Sequence, residues 1–275
     1  MAEVGPGTIE AKDVAIAYQM ARGQEPLVAL EGLSVTVKDG EFLVIVGPSG
    51  CGKSTFLNVV GGLFQPSAGE LLVGGKPVEG PGPDRAMVFQ DYALLPWRTV
   101  TKNVQFGLEL QGRLDSTARD KIQYYIELVG LKGFENSFPR ELSGGMRQRV
   151  GLARALATEP RILLMDEPFA AIDAITRETM QDELLKIVAE TGQTSVFITH
   201  SVDEAITLAD RIVVLSDRPG RVRGVLEVDI PRPRTGNSLR HHPNYTALRD
   251  ELWRLLRKTP VDGAHEADAD RAMVS

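Results

Sequence analysis

The sequence predicts an α/β fold built around a parallel sheet, and three observations carry that expectation. Short runs rich in Val and Ile recur along the chain with almost no polar alternation, the signature of strands buried on both faces. Segments with helical periodicity lie between them, and strands alternating with helices indicate a sheet covered by helices. The run Phe42-Leu43-Val44-Ile45-Val46 enters a glycine-rich loop, Gly47 to Ser54, that opens into a further helical segment.

In chain order, Ile9 to Ala17 and Leu33 to Val37 read as strands, followed by Phe42 to Val46. Ser54 to Gly61 reads as a helix, and Leu71 to Val73 and Met87 to Phe89 as strands. Between Gln90 and Pro160 the pattern is helices and loops without a convincing strand, a helical insertion. Within it, Ile122, Tyr125, Ile126 and Val129 fall at i, i+3, i+4 and i+7, and Gly130 supplies a stop to a helix over Ser116 to Val129. Ile162 to Met165 is a strand. Met180, Leu184, Ile187 and Val188 mark a helix over Ala174 to Glu190 that Gly192 closes. Ser195 to Ile198 and Ile212 to Leu215 are the last strands. Pro231, Pro233 and Gly236 make a linker, Tyr245 to Lys258 a short helix, and the small, polar residues from Pro260 to Ser275 are expected to be disordered.

The chain has 275 residues, is 43% hydrophobic and carries a net charge of −6. It is long enough for a sizeable core. The acidic balance weighs against a duplex nucleic-acid binder, which usually presents a basic stripe. A single cysteine, Cys51, excludes an intrachain disulfide. No run approaches the ~18 apolar residues of a membrane span, and the opening residues lack the basic and apolar regions of a secretory signal. The chain is therefore expected to stay in the cytoplasm, with room for docking on a membrane protein.

The loop Gly47-Pro48-Ser49-Gly50-Cys51-Gly52-Lys53-Ser54 has the composition and context of a phosphate cradle. Glycines let backbone N–H groups converge on an anion, and a helix N-terminus adds unpaired donors and a positive dipole end. Lys53 is placed to reach the β- and γ-phosphates of ATP, and the Ser54 hydroxyl to ligate Mg²⁺. The bland alternative is a tight turn ending in Lys-Ser. A second candidate follows Ile162 to Met165, where the strand ends in Asp166 and Glu167. A parallel strand delivers its C-terminal residues to the ligand edge of the sheet. Asp166 is expected to hold Mg²⁺ through water, and Glu167 to orient or deprotonate the attacking water. Alone, Asp-Glu-Pro is also ordinary turn chemistry.

Leu142-Ser143-Gly144-Gly145-Met146-Arg147-Gln148-Arg149, about twenty residues before Asp166, resembles the signature motif of ATP-binding cassette (ABC) ATPases, with Met146 where Gln is usual. The resemblance runs from about Thr8 to Val228. It implies a RecA-like P-loop NTPase core with an N-terminal antiparallel β region and an inserted α-helical subdomain. It also implies an ABC ATPase domain over residues 1–230 (core 1–90 and 161–230, helical subdomain 91–160) and a C-terminal extension over 231–275, its last ~15 residues disordered.

By the same resemblance, Tyr18 is similar to the aromatic that stacks on adenine, and Thr55 joins the phosphate-binding residues. Gln90 looks like the Q-loop glutamine that touches Mg²⁺ or the water. Asp173 looks like the D-loop aspartate, with Ile172 in place of Leu, and His200 like the switch histidine at the γ-phosphate. The signature residues Ser143, Gly144 and Gly145 would complete the ATP site of a second copy of the chain, giving a head-to-tail dimer.

Leu94-Leu95-Pro96-Trp97, the Met146 variant and the tail through Arg234, His242 and Leu256 are similar to the nitrate/sulfonate/taurine importer ATPases. That branch implies a transmembrane permease met by Gln90 to Trp97, an indirectly linked substrate-binding protein, and a place at the cytoplasmic face of the membrane. Other ABC readings fit less well. DNA-repair cassettes resemble the same motifs but carry a long coiled coil, whereas about ninety residues separate Lys53 from Ser143 here; translation-type proteins carry two cassettes. A nucleotide-gated regulator would not need Lys53, Asp166 and Glu167 together. Cys51 is read as a small filler, although a helix N-terminus can lower a thiol pKa. The arginine-rich span from Arg218 to Lys258 reads as a solvated surface, the alternative being a face toward the permease or lipid headgroups.

Overall fold

The computed structural model describes residues 4–21, 25–234, 239 and 241–257. Gly236, Lys258 and the tail from Pro260, about which the sequence raised expectations, lie outside the described residues.

The strands are β1 (Ile9–Tyr18), β2 (Leu27–Val37), β3 (Phe42–Val46), β4 (Ala68–Val73), β5 (Lys76–Pro77), β6 (Arg85–Val88), β7 (Ile162–Asp166), β8 (Thr194–Ile198), β9 (Arg211–Leu215) and β10 (Val222–Glu227). The helices are α1 (Lys53–Val60), α2 (Val100–Val104), α3 (Phe106–Leu110), α4 (Ala118–Leu128), α5 (Gly144–Ala157), α6 (Ala174–Thr191), α7 (Val202–Leu208) and, near the end, α8 (Pro243–Leu256). Among the described residues no strand lies between Val88 and Ile162, as the pattern predicts.

Two sheets form. One is antiparallel, in the order β2-β1-β4-β5. The other has the order β10-β9-β3-β8-β7-β6, parallel throughout except for the β9–β10 pair. The absence of polar alternation in β3 now has its cause. Phe42, Val44 and Val46 point into a core shared with α5 and the helical insertion, while Leu43 and Ile45 point into a second core under α1 and the antiparallel sheet. β7 divides the same way, with Leu163 and Met165 in the first core and Ile162 and Leu164 in the second. A strand with apolar neighbours on both faces has no place for a polar residue until it ends, and β7 ends at Asp166.

The antiparallel sheet is longer than the apolar runs suggest. β2 begins at Leu27, because Gly32, at φ +63, lets the strand bulge and continue where the sequence reads as a break. After β10 the chain turns back and α8 docks on it. Leu252 and Tyr245 are buried in the first core, and Arg223 donates to the Leu255 carbonyl at 2.9 Å. Arg234 departs from the expected solvated arginine surface. It is 4% exposed and donates to the carbonyls of Ile206, Ala209, Val228 and Ile230, tying the linker beneath α7.

Candidate nucleotide site

The phosphate loop is shaped by glycines where no other residue fits. Gly50 and Gly52 sit at φ +75 and +97, and a Cβ on Gly52 would lie 2.7 Å from Leu30 Cδ2 and 2.9 Å from the Ala29 carbonyl. Gly52 caps α1, so the loop's amides and the helix N-terminus face the same space. Lys53 is 8% exposed, and its Nζ donates to the carbonyls of Gly47 (2.8 Å) and Pro48 (2.9 Å). From outside, Arg218 Nε donates to the Gly50 carbonyl at 2.9 Å, a brace the sequence reading did not assign. Cys51 is fully buried, and burial pushes its thiol pKa up. Desolvation therefore outweighs the neighbouring Lys53 charge.

β7 carries Asp166 to the same place. The carboxylate is 6% exposed and lies beside the Ser54 hydroxyl, close enough for that group to favour its charged form. Burial raises its pKa, and the charges of Glu167 and Asp91 add to this, while Ser54 and the Lys53 ammonium pull the other way. Lys53, Ser54 and Asp166 thus share one locus, beside Asp91, the residue after Gln90. Asp166 Oδ1 is buried with no hydrogen-bond partner. An orphaned carboxylate oxygen beside a hydroxyl is the hard-oxygen donor set that suits magnesium, which binds through one or two carboxylates together with substrate phosphates.

Glu167 holds an unusual backbone conformation, φ +47, immediately before Pro168. Its N–H donates to Ile198 O at 3.1 Å, and its carbonyl accepts from Gln148 Nε2 at 2.8 Å. Its Oε2 lies 3.2 Å from Nδ1 of His200, which follows β8 and is largely exposed. Between them opens a cavity of about 40 Å³ bounded also by Arg177, Thr199 and Glu204, enough for a water molecule. Thr199 is fixed by donating to Glu204 Oε2, and Arg177 Nη2 donates to Ile172 O at 2.8 Å.

Gln90 is exposed at the end of β6. The loop after it is clamped in a way the sequence did not reveal. Tyr92 and Ala93 have φ +59 and +44, and Arg154 donates to both carbonyls, at 3.2 and 2.7 Å. Arg147 stacks over the Tyr92 ring at 5.4 Å. Both arginines belong to α5, so the signature helix braces this loop.

Ser143 caps α5 by accepting from Met146 N at 3.2 Å, and Asp173 caps α6 by accepting from Thr176 N at 3.0 Å, a bond that lowers the Asp173 pKa. Both are exposed, and Gly145 lies where a Cβ would be 2.9 Å from the Ala171 carbonyl. Ser143, Gly144, Gly145 and Asp173 form one outward-facing group on two helix starts. Tyr18 donates from its hydroxyl to Thr55 Oγ1 at 3.0 Å and meets Phe64 edge to face at 6.4 Å, which brings its ring beside the phosphate loop.

A glycine cradle at a helix N-terminus with an acid-tipped parallel strand beside it defines a P-loop nucleoside triphosphatase. The chain matches the ABC transporter family profile over residues 30–170. It is 52% identical over 226 residues to a putative ATP-binding protein of Brucella abortus, covering 82% of this chain and 86% of that one. It is 47% identical over 234 residues to a nitrate import ATP-binding protein of Synechococcus elongatus, covering 84% of this chain and 36% of that longer protein. Among solved structures it is similar to an ATP-binding cassette seen as a dimer in a post-hydrolysis state bound to ADP and Pi. That match has a TM-score of 0.75 and 34% identity, covering 81% of this chain and all of the other. The chain belongs to the ABC transporter family, and it is an ATPase of the RecA-like cassette type.

Proposed function

We propose that this chain is the ATP-hydrolysing subunit of an importer for a small organic or inorganic anion of the nitrate, sulfonate or taurine kind. The observation that carries the hydrolytic part is the convergence of Lys53, Ser54, Asp166, Glu167 and His200 on one edge of the parallel sheet. The loop amides from Gly47 to Thr55 and the Lys53 ammonium bind the phosphates of ATP, with Tyr18 against the adenine. Asp166, Ser54 and Gln90 would hold Mg²⁺, which would supply positive charge against the phosphates.

Glu167 orients a water and accepts its proton as the water oxygen bonds to the γ-phosphorus. The bond from that phosphorus to the bridging oxygen breaks, the electron pair stays on ADP, and inorganic phosphate leaves. His200 donates to the γ-phosphate oxygens from a ring placed against Glu167, with Nδ1 3.2 Å from Oε2. Most of the acceleration is positioning and electrostatic stabilisation.

The outward-facing Ser143, Gly144, Gly145 and Asp173 cover the ATP held by a second copy of the chain. The dimeric state of the similar cassette supports this arrangement. The likeness to the nitrate import protein supports the transport reading, with a permease at the Gln90-to-Trp97 loop, a substrate-binding protein beyond it and a position on the cytoplasmic face of the membrane. Trp97, 71% exposed, supplies apolar surface there. No helix of the described residues is long and apolar enough to cross a membrane. Affinity purification of the chain from native membranes tests the reading. It should bring down a permease and a binding protein whose ligand screen returns a small anion. A cassette recovered with no membrane partner, or a binding protein selective for a cation or sugar, would contradict it.

A further inference from the structure

We infer that Gln148 is a positioning residue for hydrolysis: it holds Glu167 in its working conformation from within the signature helix. This rests on the reading of Glu167 as the residue that activates water. A non-glycine residue at φ +47 is strained, and the following proline restricts it further. Such a conformation persists only where its surroundings impose it. Here three hydrogen bonds do so. Ile198 O accepts from the Glu167 N–H, and the Glu167 carbonyl accepts from Ala170 N within the turn and from the Gln148 side chain outside it.

Gln148 is 1% exposed, and both ends of its amide are engaged. Nε2 donates to Glu167 O at 2.8 Å, and Oε1 accepts from Ala171 N at 3.0 Å. An amide that needs one donor and one acceptor in this order has a single orientation, which fixes both ends of the turn from Glu167 to Ala171. The turn therefore aims the Glu167 side chain toward His200, and Gln148 sets the turn without touching the reacting atoms. Gln148 lies in the second turn of α5, whose start carries Ser143 and Gly145. The helix whose start faces outward thus also grips the backbone of the acid in its own chain.

The test is steady-state hydrolysis by Gln148→Met, which keeps the volume and removes both hydrogen bonds, and by Gln148→Glu, which keeps the acceptor for Ala171 and removes the donor to Glu167. Each is assayed alone and combined with Glu167→Gln. If Gln148 acts through Glu167, kcat falls at least tenfold in the single variants. ATP affinity stays within twofold, and the residual rate of Glu167→Gln is unchanged by the second substitution. A purely structural role would lower ATP affinity as well, or would lower the rate again in the Glu167→Gln background. Either result, or a kcat within twofold of wild type, overturns the inference. Should Gln148→Met fail to fold, Gln148→Glu gives the same readings. Glu167→Gln alone reads the underlying assignment separately. Wild-type kcat in that variant removes the role of Glu167 and the inference with it. A loss there with none in the Gln148 variants removes the inference alone.

Discussion

Glu167 Oε2 stands 3.2 Å from His200 Nδ1, across the ends of two adjacent parallel strands, β7 and β8. Neither residue is near the other in sequence, and only the strand pairing brings them together. The contact gives the acid a fixed direction and leaves the other imidazole nitrogen free to address a phosphate.

Glu167→Gln is expected to lower kcat by at least about a hundredfold, the lower end of the range for removing a positioned general base. His200→Ala is expected to lower it by about tenfold or more while ATP binding is kept. A phosphate-release assay beside nucleotide-binding titrations checks both. A drop in ATP affinity equal to the drop in rate would assign the pair to binding instead.

Lys53→Ala removes the only ammonium of the loop, whose Nζ is anchored on Gly47 and Pro48. The expected outcome is loss of ATP binding of about tenfold or more, the scale of one charge-assisted phosphate contact. Isothermal titration with ATP reads this directly, and unchanged affinity would remove Lys53 from the site.

Asp166 offers a stability test with a definite sign. Burial raises its pKa above the ordinary 3.8, so the folded chain holds the proton longer than the unfolded one. The associated stability is fully present below the unfolded value and is lost as pH rises through the folded value. At neutral pH the ionised, partly unpartnered carboxylate therefore costs stability in the nucleotide-free chain. Asp166→Asn is expected to raise the nucleotide-free unfolding midpoint at pH 7.5, with a smaller gain near pH ~4, and to abolish hydrolysis. A lowered midpoint at pH 7.5 would show that the carboxylate is stabilising in its present surroundings.

Arg234→Met should destabilise the chain by at least about 2 kcal/mol, because four backbone carbonyls lose a charged donor in a buried setting. Urea unfolding measures it. The neighbouring Arg232→Met is the comparison: its side chain is 31% exposed and pairs with Asp210, so a smaller effect is expected.

The core of the fold was legible because β3 and β7 are apolar on both faces and therefore carry no competing signal. Their C-terminal residues, Gly47 and Asp166, could be placed at one edge from strand direction alone. Gln148 was hidden for the opposite reason. Its role depends on meeting the carbonyl of Glu167, nineteen residues later, and side-chain bonds to backbone leave no sequence pattern. Arg154 and Arg147 were hidden in the same way, since their partners are the carbonyls and ring of a loop with positive φ. β10 escaped notice because Arg223 and Gly224 give it an irregular, half-exposed edge character. The arginine-rich tail looked solvated, and only tertiary packing shows that Arg234 is buried.

The central claim is that one chain's phosphate loop and acid-tipped strand hold ATP while a second chain's Ser143 group closes over it. Light scattering of Glu167→Gln with and without Mg·ATP tests it most directly. The expected result is a shift from the 30.0 kDa monomer to twice that mass on adding Mg·ATP, abolished by a further Ser143→Arg substitution. A protein that binds ATP yet keeps the monomer mass, or a dimer indifferent to Ser143→Arg, would contradict it.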